Sequence, residues 1–364
     1  MPVISVPHTF IIAEAGVNHN GSLEMARRLV EVAAKAGADA IKFQTFRAQK
    51  LTSKTAPKAA YQIQTDGSNE SQQAMLARLE LGEQAHRVLI EDCRKLGILF
   101  LSTPFDLESL VLLAESLDLP RLKLSSGEIT NGLLLLRSAQ YGKPVILSTG
   151  MSTLGEVEAA LGVLAFGYLS SKGQPSAAAF GQAYQSDEGQ KQLQEKVTLL
   201  HCTTEYPAPF AEVNLEAMDT LKSAFRLPVG LSDHTPGIAI PIAAVARGAA
   251  MVEKHFTLDK GLPGPDHQAS LEPEELRTMV RSIREVEAAL GNYLKVPTTS
   301  ELKNVSIVRK SLVANCQIKQ GELFTEENLT MKRPGTGLSP MWYWEILGKK
   351  ADRDYQPDEP VMAP

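Results

Sequence analysis

Eight short apolar runs recur along this chain, each ending in polar or charged residues before a helical pattern takes over. They are Phe10–Gly16, Ala40–Phe46, Leu99–Phe105, Leu122–Glu128, Pro144–Gly150, Val197–Thr203, Val229–Thr235 and Met251–Thr257. Continuous apolar runs of this length read as parallel strands buried on both faces. Strands alternating in this way with helices predict an α/β fold, a closed (β/α)8 TIM barrel. The polar endings constrain function as well. They read AEAGVNHN, IKFQTF, LSTPF, LKLSSGE, LSTG, HCTTEYP, LSDHT and EKHFT. Such barrels do their chemistry at the C-terminal ends of the strands. Lys, Glu, His, Ser and Thr gathered there point to an enzyme.

The 364 residues hold one barrel of roughly 250 residues and a smaller domain. The expected boundaries are 1–292 for the barrel, 293–305 for a polar linker and 306–364 for a small β-rich domain. In that last segment Pro and Gly punctuate short β-like pieces, and no long helical period appears. A domain this small is marginally stable alone, so it is expected to pack on the barrel or on a partner subunit. Helix starts are expected near Ser22, Asp106, Asn131, Thr153, Asn214, Gly237 and Pro273. Two connections are long. Arg47–Gly82 follows the second run on the catalytic side and has the length of a lid or a disordered segment. Gly167–Glu195, rich in Ala, Gln and Ser, reads as a peripheral insertion without chemistry.

A net charge of −5 argues against wholesale binding to nucleic acid or anionic membranes. Cys93, Cys202 and Cys316 are too widely spaced for a disulfide framework or a CxxC metal motif, and Cys202 reads as a core residue. No signal-peptide pattern opens the sequence and no apolar stretch matches a bilayer, so the expectation is a soluble cytoplasmic protein.

His234 and His255 end neighbouring runs. On strands about 4.8 Å apart they either share one metal ion or simply line the barrel mouth. Lys42 and Lys123 sit in apolar strands, where a buried ammonium needs an anion or a carboxylate. Thr103, Ser126, Ser148 and Ser232 share their rim, a donor set that suits phosphate and carboxylate. The competing reading of a barrel lysine is a Schiff base. Glu14 and Glu128 serve as acid/base groups, orient substrate hydroxyls, or form salt bridges with Lys42 or Lys123. Asp266, in GLPGPDH, is a loop-borne acid or ordinary turn chemistry.

Taken together, IIAEAGVNHNGSLEMA, AIKFQTF, LSTPFD, LKLSSGEI, PVILSTGM, HCTTEYPAP, VGLSDHT and EKHFTLDKGLPGPDH resemble the bacterial sialic acid synthases and their relatives that make other nonulosonic acids. The segment IKQGELFTEENLTMKRPGTGL resembles that family's antifreeze-like domain. The likeness covers nearly the whole chain except the Gly167–Glu195 insertion. It implies condensation of phosphoenolpyruvate with an N-acylated mannose-type sugar, assisted by a divalent metal: manganese, magnesium or cobalt. It implies that His234 and His255 bind that metal. It implies that Lys42, Thr103, Lys123, Ser126, Ser148 and Ser232 surround phosphoenolpyruvate. Gln44, Glu128, Tyr206 and Asp266 are then assigned to the sugar or to metal-bound water, and Glu14 to an acid/base or electrostatic role. Arg333 of KRPGTG is implied to reach the sugar's N-acyl group in the partner's active site, within a domain-swapped homodimer.

One departure matters. After His201-Cys202-Thr203 the best-known neuraminate-forming versions carry Asn, whereas this chain has Thr204 and then Glu205. The string TTEYPAP resembles the branch that makes N,N'-diacetyllegionaminate. The expected acceptor is therefore 2,4-diacetamido-2,4,6-trideoxymannose, with N-acetylmannosamine, the neuraminate-forming acceptor, as the alternative. Outside the family stand a Schiff-base pyruvate aldolase using Lys123 and a non-enzymatic carbohydrate- or ice-binding protein.

Overall fold

A computed structural model describes residues 8–58, 71–170, 173–292 and 294–362. The chain divides into two compact units, Met1–Gly291 and Asn292–Pro364.

The first unit is built on strands β1 Phe10–Gly16, β2 Ala40–Thr45, β3 Leu99–Pro104, β4 Leu122–Leu124, β5 Val145–Ser148, β6 Val197–Cys202, β7 Val229–Asp233 and β8 Met251–His255. They run parallel in the order β3-β2-β1-β8-β7-β6-β5-β4. The two ends of that order, β3 and β4, lie side by side and close the barrel. Each expected run contains a strand. The fourth is shortened to three residues because Ser126–Glu128 turns as a 3₁₀ helix.

Alternate strand residues point into a barrel. Ile12, Ala40, Leu101, Ile146, Leu200 and Met251 form an apolar layer that fills the N-terminal end. Outward residues such as Ile11, Ala13, Ile41 and Phe43 pack in the main core. Two residues further along the same strands, the inward positions are Glu14, Lys42, Thr103, Ser148, Cys202 and Glu253. The interior thus changes from a dry plug to a charged layer within one period of the pleat.

Helices begin where the polar strand ends stop. Asp106, Asn131 and Thr153 each accept a backbone N–H of the following first turn, which satisfies donors otherwise left bare at the catalytic face. The Arg47–Gly82 connection holds two short helices, Ala48–Leu51 and Gln72–Ala77. Leu51, Met75, Leu76 and Leu79 from this segment pack with Val17, Phe46 and Phe105. Positions 59–70 of this long connection, read as a lid or a disordered segment, lie outside the described residues.

The Gly167–Glu195 insertion is more ordered than its composition suggests. Gly167 ends up inside the helix Leu154–Tyr168, which is buried without a break from Ala160 to Tyr168. A helix apolar all round needs cover on more than one side. The helices Ala177–Gln185 and Asp187–Lys196 supply it, with the Phe166 and Phe180 rings 5.3 Å apart and near perpendicular.

In the second unit a helix, Thr299–Val308, stands where a polar linker was expected, started by a capping box between Thr298 and Glu301. Beyond it β9 Ser311–Ala314 pairs antiparallel with β10 Leu329–Lys332, over a small core that includes Leu312, Ile318, Phe324, Tyr355 and Val361. Among the described residues no helix is long and apolar enough to cross a membrane.

Candidate active site

Every expected site residue of the barrel lines one cavity of about 360 Å³ at the C-terminal mouth. Arg333 belongs to the other unit, exposed at the end of β10. Gly335 and Gly337 of its loop leave no room for a side chain. A Cβ on either would come within 2.8 Å of Arg309 or Pro360, so the loop that presents Arg333 is held close to its own domain.

Four charges share the cavity floor. Lys42 Nζ lies 2.8 Å from Glu14 and 3.6 Å from Glu253, and it donates to Thr103 Oγ1 at 3.1 Å. Lys123 Nζ lies 3.3 Å from Glu253, which also accepts the Ser232 hydroxyl at 2.8 Å. All four side chains are almost wholly excluded from solvent. Burial pushes Glu14 up to about 7, with Lys42 opposing and Glu253 adding to the rise. Burial pushes Glu253 up too, but two lysines overcome it and bring Glu253 down to about 2. Burial also pulls Lys123 below the usual lysine range. Once Glu14 takes a proton, two ammonium groups face one carboxylate, and the floor is a site for an anion.

Hydroxyls supply further donors. Ser125 Oγ and Ser148 Oγ are buried with no hydrogen-bond partner among the described residues. Ser126 Oγ accepts the Gly150 N–H at 2.9 Å and touches Cys202 Sγ at 3.1 Å. Cys202 is thus a cavity residue as well as a buried one. Thr204 also lines the cavity, 4.0 Å from Cys202 Sγ. Gly150 makes room for this group, since a Cβ there would fall 2.7 Å from Cys202 Sγ and 2.8 Å from Ser126 Oγ.

The mouth holds the histidines. His234 Nδ1 donates to the Thr203 carbonyl at 2.6 Å. Burial pulls this ring down to about 4, so it is neutral and Nε2 keeps a bare lone pair. His255 is held well below the usual histidine range by burial and then by His234 and Lys42, and its Nδ1 is buried without a hydrogen-bond partner among the described residues. The ring centroids of the pair are 5.7 Å apart. The Tyr206 ring lies against His234 with centroids 4.1 Å apart and planes tilted by 32°, and it meets His255 near perpendicular at 5.6 Å. Asp266 Oδ2 lies 4.0 Å from His255 Nδ1, and burial pushes its carboxyl up to about 6. Among the described residues no three His, Cys, Asp or Glu side chains converge to cage an ion. Two neutral histidines suit a divalent ion whose remaining positions belong to water and substrate.

Of the two glutamates read as salt-bridge candidates, Glu14 pairs with Lys42, whereas Glu128 accepts the Asn131 amide at 2.7 Å and faces the cavity. Glu253 was missed in the sequence. The signal was available, because a strand that turns His255 inward must also turn Glu253 inward and Lys254 outward. Lys254 accordingly pairs with Asp233 at 2.5 Å, away from the cavity.

A parallel (β/α)8 barrel whose mouth joins a cationic floor to a pair of neutral histidines is an enzyme built for an anionic substrate. Residues 29–295 match the NeuB family and residues 309–364 the SAF domain. The N,N'-diacetyllegionaminic acid synthase of Campylobacter jejuni is 53% identical over 351 residues, covering 96% of this chain and 98% of that protein. The protein of the same name from Legionella pneumophila is 45% identical, covering 94% of this chain and 90% of its own length. The crystal structure of N-acetylneuraminic acid synthetase from Leptospira borgpetersenii, in complex with citrate, superposes with a TM-score of 0.65 at 34% identity over 82% of this chain and 91% of that one. The chain belongs to the NeuB family, the nonulosonic acid synthases that its motifs resemble.

Proposed function

We propose that this chain condenses phosphoenolpyruvate with 2,4-diacetamido-2,4,6-trideoxymannose, releasing phosphate and forming N,N'-diacetyllegionaminate. The observation that carries this reading is one cavity joining the Lys42–Lys123 floor and its unpartnered serine hydroxyls to the His234–His255 mouth. The similarity to the two diacetyllegionaminic acid synthases favours this product over neuraminate. The cleft supports the same choice, because Leu51, Met75, Leu76, Leu79 and Phe105, with Thr52 and Gln72 among them, give it a largely apolar wall. Such a wall suits a sugar with a methyl group where N-acetylmannosamine has a hydroxymethyl.

In this reading Lys42, Lys123, Thr103, Ser126, Ser148 and Ser232 hold the phosphate and carboxylate of phosphoenolpyruvate. Gln44, Glu128, Tyr206 and Asp266 orient the sugar. His234 and His255 would hold a divalent manganese, magnesium or cobalt ion, which polarises the sugar's open-chain aldehyde when bound. C3 of the enol forms a bond to the aldehyde carbon, whose oxygen takes up the proton that Glu14 holds while the floor binds the anion, leaving Glu14 a carboxylate. Positive charge develops at C2, opposite the carboxylate of Glu14. Water adds at C2, and phosphate departs with its bridging oxygen. With its carboxyl near 7, Glu14 is matched to taking the proton of that water at neutral pH. Arg333 would serve the site of a second copy of the chain, making a domain-swapped homodimer. The test is phosphate release from phosphoenolpyruvate with a panel of mannose-type acceptors, and product masses. No phosphate release with any acceptor overturns the reading.

A further inference from the structure

The NHN segment after β1 does no visible chemistry, since neither Asn18 nor Asn20 lines the cavity. Both side chains instead grip the loop that follows β8. Asn18 is fully buried. Its Nδ2 donates to the Phe256 carbonyl at 2.8 Å and to Ser270 Oγ at 2.9 Å. Ser270 Oγ in turn donates to the Asp266 carbonyl at 2.5 Å. Phe256 directly follows His255. One buried amide therefore ties the strand end that bears His255 to the turn that bears Asp266.

The donor directions are fixed. Two carbonyl oxygens only accept, so the Ser270 hydroxyl must give its proton to Asp266 and receive one from Asn18. The base of the loop is also closed, with Leu271 N–H on the His255 carbonyl and Thr257 N–H on Leu271, each at 2.8 Å. A second clamp holds its far side. Asn20 donates to the Pro263 carbonyl at 2.8 Å, and His267 lies 3.2 Å from Asn20 Oδ1. Gly264 passes between them where a Cβ would meet His267 Cδ2 at 2.7 Å and Asn20 Oδ1 at 2.8 Å.

We infer that Asn18 and Ser270 are positioning residues for the condensation, acting through Asp266 by fixing its carboxylate against His255. This rests on the proposed function above, in which Asp266 orients the sugar. Misplacing a reacting group by about an ångström costs on the order of 100-fold in rate.

The test compares wild type, Ser270→Ala, Ser270→Thr, Asp266→Ala and the double variant Ser270→Ala/Asp266→Ala in steady-state phosphate release. Amide hydrogen exchange of residues 257–271 is followed in parallel. Ser270→Ala is expected to lower kcat about 10- to 100-fold while the KM for phosphoenolpyruvate stays within about twofold. Ser270→Thr, which keeps the hydroxyl, is expected to restore most of the rate. In the Asp266→Ala background Ser270 still has a backbone carbonyl at 266 to bind, but the carboxylate it positions is gone, so the Ser270 change should cost almost nothing further. Exchange should rise in the loop and not in the barrel helices. Equal losses from Ser270→Ala in both backgrounds, or faster loop exchange with full activity, would overturn the inference while leaving the proposed reaction standing. A wild type that turns over no acceptor overturns both, and that is seen before any variant is compared.

Discussion

Glu14 and Glu253 face the same ammonium group, Lys42, yet settle in opposite protonation regimes. Glu253 has Lys123 at 3.3 Å as well as Lys42 at 3.6 Å. Glu14 has Lys42 at 2.8 Å, with Glu253 as a repulsive neighbour. Burial penalises both carboxylates, and the second lysine decides which of them keeps its charge. Lys42 is held above the usual lysine range because both carboxylates, acting against its own burial, stabilise its charge.

This asymmetry sets a pH dependence. Folded Glu14 holds its proton to about 7, against an ordinary value of 4.5. Between those values the folded state binds more protons than the unfolded one, so this group makes stability fall as pH rises. Glu14→Gln lacks that slope. Its Tm relative to wild type should therefore rise from pH 5 to pH 8, measured by thermal melts in matched buffers. A constant difference across that window would place the proton elsewhere.

Glu253→Gln removes the carboxylate from Lys123 while Lys42 keeps Glu14. Breaking a buried pair by deleting one partner costs about 3–5 kcal/mol. Urea unfolding should show a loss of that size. Phosphoenolpyruvate should raise the variant's Tm by more than that of wild type, because a more positive floor receives the anion. An equal or smaller rise would mean that the anion does not sit on the lysines.

Chelator-treated enzyme should lose turnover and regain it with manganese, magnesium or cobalt. His234→Ala and His255→Ala should each abolish the recovery. Full activity in the chelator would end the metal assignment.

Much of this was legible in the chain because barrels obey a period of two. Counting two residues up from Ile12, Ala40, Leu101, Ile146, Leu200 and Met251 reaches the charged layer, and two more reach Gln44, Gly150, Thr204 and His255. Glu253 stands beside Lys254 in an EKH string, and only the pleat counted back from His255 says which of the two faces inward. The helix in the expected linker was announced by Thr298 and Glu301 at capping-box spacing, a signal masked by the polar residues around it. Other features depend on tertiary partners. Nothing local reveals that the Thr203 carbonyl orients His234, or that the Leu154–Tyr168 helix needs the inserted helices as cover.

The apolar wall makes the acceptor a measurable question. Discrimination against a hydroxyl by an apolar pocket reaches about 100-fold. The kcat/KM for 2,4-diacetamido-2,4,6-trideoxymannose should exceed that for N-acetylmannosamine, and Leu76→Asn should narrow the ratio. A wild type that prefers N-acetylmannosamine is a neuraminate synthase, and the wall then has another purpose.

Arg333 gives the last prediction. Gly335 and Gly337 hold its loop against Arg309 and Pro360, so its exposed guanidinium extends from a braced turn. Arg offers a planar fork of donors that an acetamido carbonyl accepts, and a lysine does not reproduce that geometry. Arg333→Ala should raise the acceptor KM or lower kcat while leaving the melting curve and the oligomer unchanged, and Arg333→Lys should recover little. If the arginine works across a dimer, mixing Arg333→Ala with inactive His255→Ala subunits should restore part of the activity. One of the two sites in such a heterodimer combines an intact barrel with an intact tail. No complementation, with subunit exchange confirmed by mass, would mean that each tail serves its own barrel.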